Sequence, residues 1–334
     1  RPDPAELART DWDLIVIGGG ITGAGILHTA ARLGLKVLLI EQRDFAWGTS
    51  SRSSKMVHGG LRYIAQGDIR LTRDALHERE RLLRELPELV VRQEYLFPVR
   101  RGRFPGRWPM KILLWLYDRL AGIRDHRWLS RKQVLNRLPG LRAEGLKGAM
   151  TYTDALTDDA RLVLRILHEG VAEGGRVCNY LRAEAVEPAG SGFRVRVADE
   201  AGGPEQTLNA ARVINATGAW ADQLSGSDAR IRPLRGSHLF VPHERLPVTD
   251  CLTLLHPKDQ RPVFIFPWQG VTCIGTTDLD HGEDLSHEPR CTGEELAYLL
   301  ELANSQFPEL DLTDEDVIAT MAGVRPVISS GEGL

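Results

Sequence analysis

The chain has 334 residues, 42% hydrophobic and 26% charged, with 42 Lys and Arg against 45 Asp and Glu. That composition is globular, and the length allows one or two domains. A net charge of −3 excludes whole-chain affinity for nucleic acid, and no apolar run reaches the roughly 18 residues of a membrane-spanning helix. Cys178, Cys251, Cys273 and Cys291 form no CxxC pair or metal-spaced cluster. They are expected to be reduced, mostly buried thiols in a reducing compartment, and no metal site is expected. Residues 1–11 read as a polar arm without the apolar core of a signal peptide.

The first organised unit spans residues 12–41. Ile15-Val16-Ile17 is followed by Gly18-Gly19-Gly20-Ile21-Thr22-Gly23, an apolar helical run, and Val37-Leu38-Leu39-Ile40-Glu41. This is strand, glycine turn, helix, strand, acid: a Rossmann-like dinucleotide unit. Gly18 permits the turn, Gly20 lets the backbone approach a pyrophosphate, and Gly23 lets helix pack on strand. The helix N-terminus offers N–H groups and partial positive charge to phosphates. Glu41 suits a ribose diol and disfavours a 2′-phosphate, which argues against NADP. A glycine turn with no ligand is the alternative, disfavoured by the completeness of the pattern.

Residues 42–67 continue through Thr49-Ser50-Ser51-Arg52-Ser53-Ser54-Lys55 to His58-Gly59-Gly60-Leu61-Arg62-Tyr63. Hydroxyls, backbone N–H groups and two cations suit phosphate and ring contacts. The run Thr49 to Tyr63 resembles the signature of FAD-dependent glycerol-3-phosphate dehydrogenases, within the D-amino-acid-oxidase-like flavoproteins. The similarity covers the chain from about Asp13 onward. It implies FAD as cofactor, contacted by Gly18, Gly20, Gly23, Glu41, Thr49, Ser50, Ser53, Ser54, Lys55, His58 and Gly59.

From Leu71 to Leu89 apolar residues recur at helical spacing. Residues 92–127 are basic, with Arg100, Arg101, Arg103, Arg107, Lys111, Arg119 and Arg124 interleaved with Trp108, Leu113, Leu114 and Trp115. Two readings stand: a core helix, Met110 to Leu120, with a solvated basic flank, or an interfacial membrane helix whose Trp108, Leu113, Leu114 and Trp115 insert. The residues alone favour the first; the resemblance favours the second, because the bacterial members are peripheral membrane proteins. Residues 128–150 read as loops and turns. Thr153 to Ala172 reads as a helix opened by the capping cluster Asp154, Thr157, Asp158 and Asp159. Phe193 to Val197 alternates as a half-exposed antiparallel strand, and Leu208 to Ile214 leads into Ala216-Thr217-Gly218, where flavoproteins of this type pass backbone close to the dinucleotide. From Ile231 the pattern becomes strand-rich, with a hairpin around Gln269-Gly270 and a helix from Gly293 to Phe307.

The fold expected is α/β: a discontinuous Rossmann-like FAD-binding domain (11–75, 150–232 and 319–334) and a second domain with a mixed or antiparallel sheet for substrate (76–149 and 233–318). Oxidising a secondary alcohol with a flavin requires a base for the hydroxyl proton and groups that hold the rest of the substrate. His58 and His238 are the base candidates, His58 favoured because its loop approaches the flavin. If the substrate carries a phosphate, arginine forks suit it. By resemblance Arg62, Tyr63 and Arg325 bind glycerol 3-phosphate, which is oxidised to dihydroxyacetone phosphate with electrons passing to a membrane quinone. The resemblance further implies peripheral attachment to the anionic inner face of the cell membrane, in the cytoplasm. It also implies a Gly-Lys-Thr segment following Leu334. The rivals are an oxidase of the same superfamily that uses oxygen, and a flavin-binding protein without turnover. A homodimer is compatible with the sequence, which does not fix oligomeric state.

Overall fold

The computed structural model describes residues 1–65, 67–224 and 230–329. A short helix, Pro4–Leu7, precedes strand β1 (Asp11–Ile17), helix Ile21–Arg32 and strand β2 (Val37–Ile40). The N-terminus is therefore not a free polar arm: Leu7 is buried and its carbonyl accepts the Trp12 indole N–H at 3.1 Å. Next come β3 (Met56–Val57), helix Ile69–Glu85, β4 (Val90–Arg100), helix Arg107–Ala121, β5 (Arg127–Ser130) and β6 (Leu146–Thr157). After helix Asp159–Ala172 follow β7 (Arg176–Cys178), β8 (Leu181–Ala189), β9 (Gly192–Asp199) and β10 (Gln206–Asn215). The chain continues through β11 (Arg230–Pro242), β12 (Cys251–Leu255), β13 (Pro262–Trp268), β14 (Val271–Gly275), β15 (Leu279–Asp280), helix Gly293–Gln306 and β16 (Ala319–Ser329).

Two sheets result. The smaller runs β7-β2-β1-β10-β9-β8, parallel as far as β10 and antiparallel beyond it. β1 and β2 are apolar on both faces because helices and β-strand side chains cover both sides, as parallel strands require. Gly170 makes this compact: a Cβ there would press on the Leu27 side chain and the His28 backbone, so only glycine lets helix Asp159–Ala172 lie close on helix Ile21–Arg32. The larger sheet runs β15-β11-β14-β13-β12-β4-β6-β3, with β16 on β11 and β5 on β6. Its core joins Leu96, Leu239, Leu252, Ile265 and Ile274 to Leu299 of helix Gly293–Gln306 and to Phe307, which caps it.

Several expectations need correcting. Met56–Val57, residues 150–157 and Ala319–Ser329 do not belong to the dinucleotide sheet by hydrogen bonding. β6 pairs with β4 from Leu146 to Thr157, and β16 pairs with β11 from Arg230↔Ser329 to Phe240↔Ala319. Long antiparallel ladders decided their membership. Residues 330–334 lie outside the described residues. The helix predicted from Thr153 begins only at Asp159, capped by the Asp158 side chain accepting from Arg161 N–H; Asp154 sits in a strand. Residues 128–150 hold β5, the start of β6, and a helix, Arg131–Arg137, opened by a Ser130–Gln133 capping box.

In the basic segment, β4 takes its first part and helix Arg107–Ala121 the rest. The helix has two unlike faces. Met110, Leu114, Tyr117 and Ala121 are buried, so Leu114 is no candidate for insertion, whereas Trp108, Ile112 and Trp115 are 67%, 66% and 55% exposed. The i, i+4, i+7 spacing of the exposed three puts them on one face.

Candidate functional site: a cleft and the loop between two sheets

Gly18 has φ +116°, and a Cβ there would press on the Ala216 carbonyl group. The glycine turn and the Ala216-Thr217-Gly218 segment thus touch through backbone. Ala216 N–H donates to Ile17 O at 2.8 Å, and Asn215 Oδ1 takes the Thr217 hydroxyl at 2.6 Å. Gly23 is equally constrained, since its Cβ would collide with the Gly18 carbonyl oxygen. A cavity of about 670 Å³ opens above this junction, lined by Gly18, Gly20, Glu41, Thr49, Ser50 and residues 216–220. Gly218, with φ +60°, has nothing within 4 Å of where a Cβ would sit.

Glu41 is anchored at the cavity edge. Its Oε2 accepts Gly19 N–H at 2.7 Å and its Oε1 accepts Arg43 N–H at 2.8 Å. Burial pushes its carboxyl above the ordinary range, against the pull of the Arg43, Gly19 and Gln42 N–H groups. The first helical N–H, of Ile21, donates to Ser50 Oγ at 3.0 Å, which leaves the Ser50 proton to be given to an anion. Glycine backbone, helix N-terminus, hydroxyls and an acid at one cavity fit a dinucleotide.

Residues 49–60 then cross from this cleft to the larger sheet. Thr49 Oγ1 donates to Val324 O on β16. Ser53 and Lys55 turn away from the cleft. Asp159 Oδ2 accepts Ser53 N–H at 3.0 Å and Ser53 Oγ–H at 2.7 Å, and Oδ1 accepts the Lys55 ammonium at 2.7 Å. Both charged side chains are nearly buried. Lys55, expected at the cofactor, is instead a brace, and the cause is the otherwise uncompensated Asp159 at a buried helix start.

Ser54 Oγ lies 2.9 Å from His238 Nε2, linking the loop to β11. His238 is buried, its Nδ1 has no partner among the described residues, and burial, followed by repulsion from Arg325 and Lys55, lowers its pKa to about 3. His238 is therefore a neutral imidazole that holds Ser54. Arg325, on β16, donates to Asp278 Oδ1 at 3.0 Å and Thr276 Oγ1 at 3.1 Å, and its guanidinium packs where a Gly236 Cβ would be. Asp278 and Thr276, the partners of Arg325, were not singled out in the sequence, because they lie in an unremarkable Thr-Thr-Asp run.

His58 is exposed, and the turn after it is pinned from below. Gly59 N–H donates to Tyr117 Oη at 2.8 Å, and Tyr117 donates to Asp154 at 2.7 Å. The fully buried Arg79 pairs with Asp154 at 2.6 Å. Burial pushes the Asp154 carboxyl up, opposed chiefly by the charge of Arg79. Tyr63 lies in helix Leu61–Ala65, its ring filling the space a Gly60 Cβ would need. Arg62 shares that helix, and its side chain lies outside the described residues. Asp154 and Arg79 left no usable signal in the sequence, because their partners are far away along the chain. Among the described residues no His, Cys, Asp or Glu cluster is arranged to hold a metal.

The comparisons with known proteins follow this geometry. The model of a family described as FAD dependent oxidoreductase matches residues 13–334. The chain is 36% identical over 333 residues to the aerobic glycerol-3-phosphate dehydrogenase of Staphylococcus aureus strain USA300, covering 97% of this chain and 60% of that protein. It superposes on the X-ray structure of glycerol-3-phosphate dehydrogenase from Bacillus halodurans complexed with FAD. The TM-score is 0.80 at 35% identity, over 98% of this chain and 59% of that one. The L-alpha-glycerophosphate oxidase of Mycoplasma pneumoniae, with FAD bound, shares the fold at a TM-score of 0.76 and 18% identity, over 96% and 84% of the two chains. The chain thus spans about three fifths of the length of the curated relatives it matches.

Two outcomes test the braces. Asp159→Asn strands the Lys55 cation, and breaking such a buried pair costs about 3–5 kcal/mol. The variant is expected to melt earlier and to lose FAD on gel filtration; unchanged melting and retention would show that the brace is idle. His238, at about 3 in the fold against an ordinary 6.5, is protonated first in the unfolded chain as pH falls. It therefore costs nothing above pH 6.5 and destabilises increasingly from 6.5 toward 3. The fall in Tm across that window is expected to be shallower in His238→Gln; equal slopes would mean the folded protein protonates His238.

Proposed function

The chain belongs to the FAD dependent oxidoreductase family, and from that premise we propose that it binds FAD and oxidises sn-glycerol 3-phosphate to dihydroxyacetone phosphate, with electrons passing to a membrane quinone. The observation that carries the reading is the convergence of residues 49–54 with His238 on β11 and the Val324-Arg325 stretch of β16. One loop leaves the dinucleotide cleft and runs into a neighbourhood of arginine, imidazole and hydroxyl groups. Relatives bearing this activity in their names, at 35–36% identity over nearly the whole chain, support the substrate.

Bound FAD would supply the hydride acceptor. The residues that would hold it are Gly18 and Gly20 at the turn, the Ile21 helix start with Ser50 at the pyrophosphate, Glu41 at the ribose, and residues 216–218. For the substrate, Arg325 provides a planar fork for phosphate, steadied by Asp278 and Thr276. Tyr63 and Arg62 complete the clamp on this reading. His58 takes the hydroxyl proton: it is exposed and so exchanges protons with solvent, and Tyr117 fixes the adjoining turn. His238, neutral and enclosed, orients Ser54 and does not act as the base.

A place at an anionic membrane belongs to the same proposal. Trp108, Ile112 and Trp115 form an exposed apolar row beside Arg101, Arg103, Arg107 and Lys111. Such a face is suited to the headgroup boundary, where each nearby cation gains about 1 kcal/mol. No helix among the described residues is long and apolar enough to cross a membrane.

Arg325→Ala removes a charge-assisted clamp of roughly 1.5–3 kcal/mol. In the FAD-loaded, full-length protein, kcat/KM for glycerol 3-phosphate is expected to fall at least about tenfold. Glycerol, lacking the phosphate, should lose much less. Equal losses for the two alcohols would show that Arg325 serves the fold or the chemistry and not phosphate recognition.

A further inference from the structure

A second cavity, of about 310 Å³, shares no lining residue with the dinucleotide cleft. Its wall includes Phe97 and Phe104 together with Arg100, Arg101, Arg103 and Arg142. Arg142 is paired with Glu144 at 2.6 Å, whereas no ion pair joins Arg100, Arg101 or Arg103 to a carboxylate among the described residues. Arg100 is held rigidly on one edge, donating to Arg142 O at 2.8 Å and Glu144 O at 2.7 Å. Burial and then repulsion from Arg142 lower the pKa of its guanidinium, against the pull of Glu144 and with a smaller push from Arg103. Glu144, also in the wall, offsets one of these four cations, and the crowded remainder is the electrostatic mould of an anion.

The wall is also apolar, and it opens beside the exposed helix face. Phe104, in the cavity wall, is 79% exposed and precedes the helix that carries Trp108, Ile112 and Trp115. An anion with a hydrophobic continuation matches both features; a free ion matches only the first.

We propose that this cavity binds the phosphate of an anionic glycerophospholipid, with Phe104 and the Trp108 face against its chains. The proposal deepens the membrane reading above and rests on it. The planar forks of Arg101 and Arg103 donate to phosphate oxygens at the rim, while the tethered Arg100 adds to the field. Two forks can meet a tetrahedral phosphate from different directions, whereas a planar carboxylate offers one edge, so the site is expected to prefer phosphate to a fatty-acid carboxylate where a merely basic surface would not.

The test uses FAD-loaded full-length protein and phosphatidylcholine vesicles carrying either phosphatidylglycerol or oleate at matched surface potential. Wild type is expected to bind the phosphatidylglycerol vesicles about tenfold more tightly, the scale of one charge-assisted contact. Arg101→Ser with Arg103→Ser should abolish that preference. Arg119→Ser with Arg124→Ser, an equal loss of exposed charge outside the cavity, should keep it. Equal binding of wild type to both anionic vesicles overturns the cavity assignment and leaves membrane attachment standing. No binding to any vesicle overturns membrane attachment. Soluble dihexanoyl-phosphatidylglycerol, titrated by tryptophan fluorescence, then decides the cavity alone: saturable binding lost in the Arg101/Arg103 variant supports it, and no binding sinks it. Competition by inorganic phosphate at equal concentration would make it a free-phosphate site and overturn the lipid assignment.

Discussion

The carboxylate of Asp159 is where two sheets are made to share one loop. It gathers the Ser53 N–H, the Ser53 hydroxyl and the Lys55 ammonium at 2.7–3.0 Å, at the start of the helix that lies against the dinucleotide unit. The residues just before this knot line the cleft; those just after it pair with β6 of the larger sheet. A loop able to wander would separate the backbone of the dinucleotide cleft from His238 and the β16 strand. Burial makes the constraint strong, because an ammonium removed from water tolerates no loss of its partner.

The same solution appears twice more around the loop. Arg79, Asp154 and Tyr117 form a buried chain that ends on Gly59 N–H and so fixes the turn after His58. Glu295, also buried, takes Ser237 Oγ at 2.9 Å, Thr277 Oγ1 at 2.7 Å and Arg235 Nε at 3.0 Å. Those residues flank His238 and the Thr276 partner of Arg325. Each network fully satisfies a buried charge and thereby orders neighbours that face the site. Glu295 is also the N3 partner of the N-cap Thr292, so the last brace is part of a capping box.

Local chemistry was legible in the sequence and long-range pairing was not. Gly18, Gly23 and Glu41 stood out because their roles depend on neighbours within one strand–turn–helix unit, and the structure gives each glycine a backbone contact that forbids a side chain. The amphipathic helices were visible from their spacing. The membership of β16 was not, since its sequence carries no mark of the β11 strand it pairs with. Asp159 looked like a cap, and its larger task depends on Ser53 and Lys55, over a hundred positions away. Leu114 and Trp115 looked alike in a basic, apolar stretch; only the helical phase separated a buried leucine from an exposed tryptophan.

The central claim is that this loop delivers a bound phospho-alcohol to the flavin. The most direct measurement is anaerobic absorbance of the FAD-loaded, full-length protein during titration with sn-glycerol 3-phosphate. The account predicts that the oxidised flavin band bleaches with glycerol 3-phosphate well before it responds to glycerol. A spectrum that glycerol 3-phosphate leaves unchanged, while dithionite bleaches it, would contradict the account.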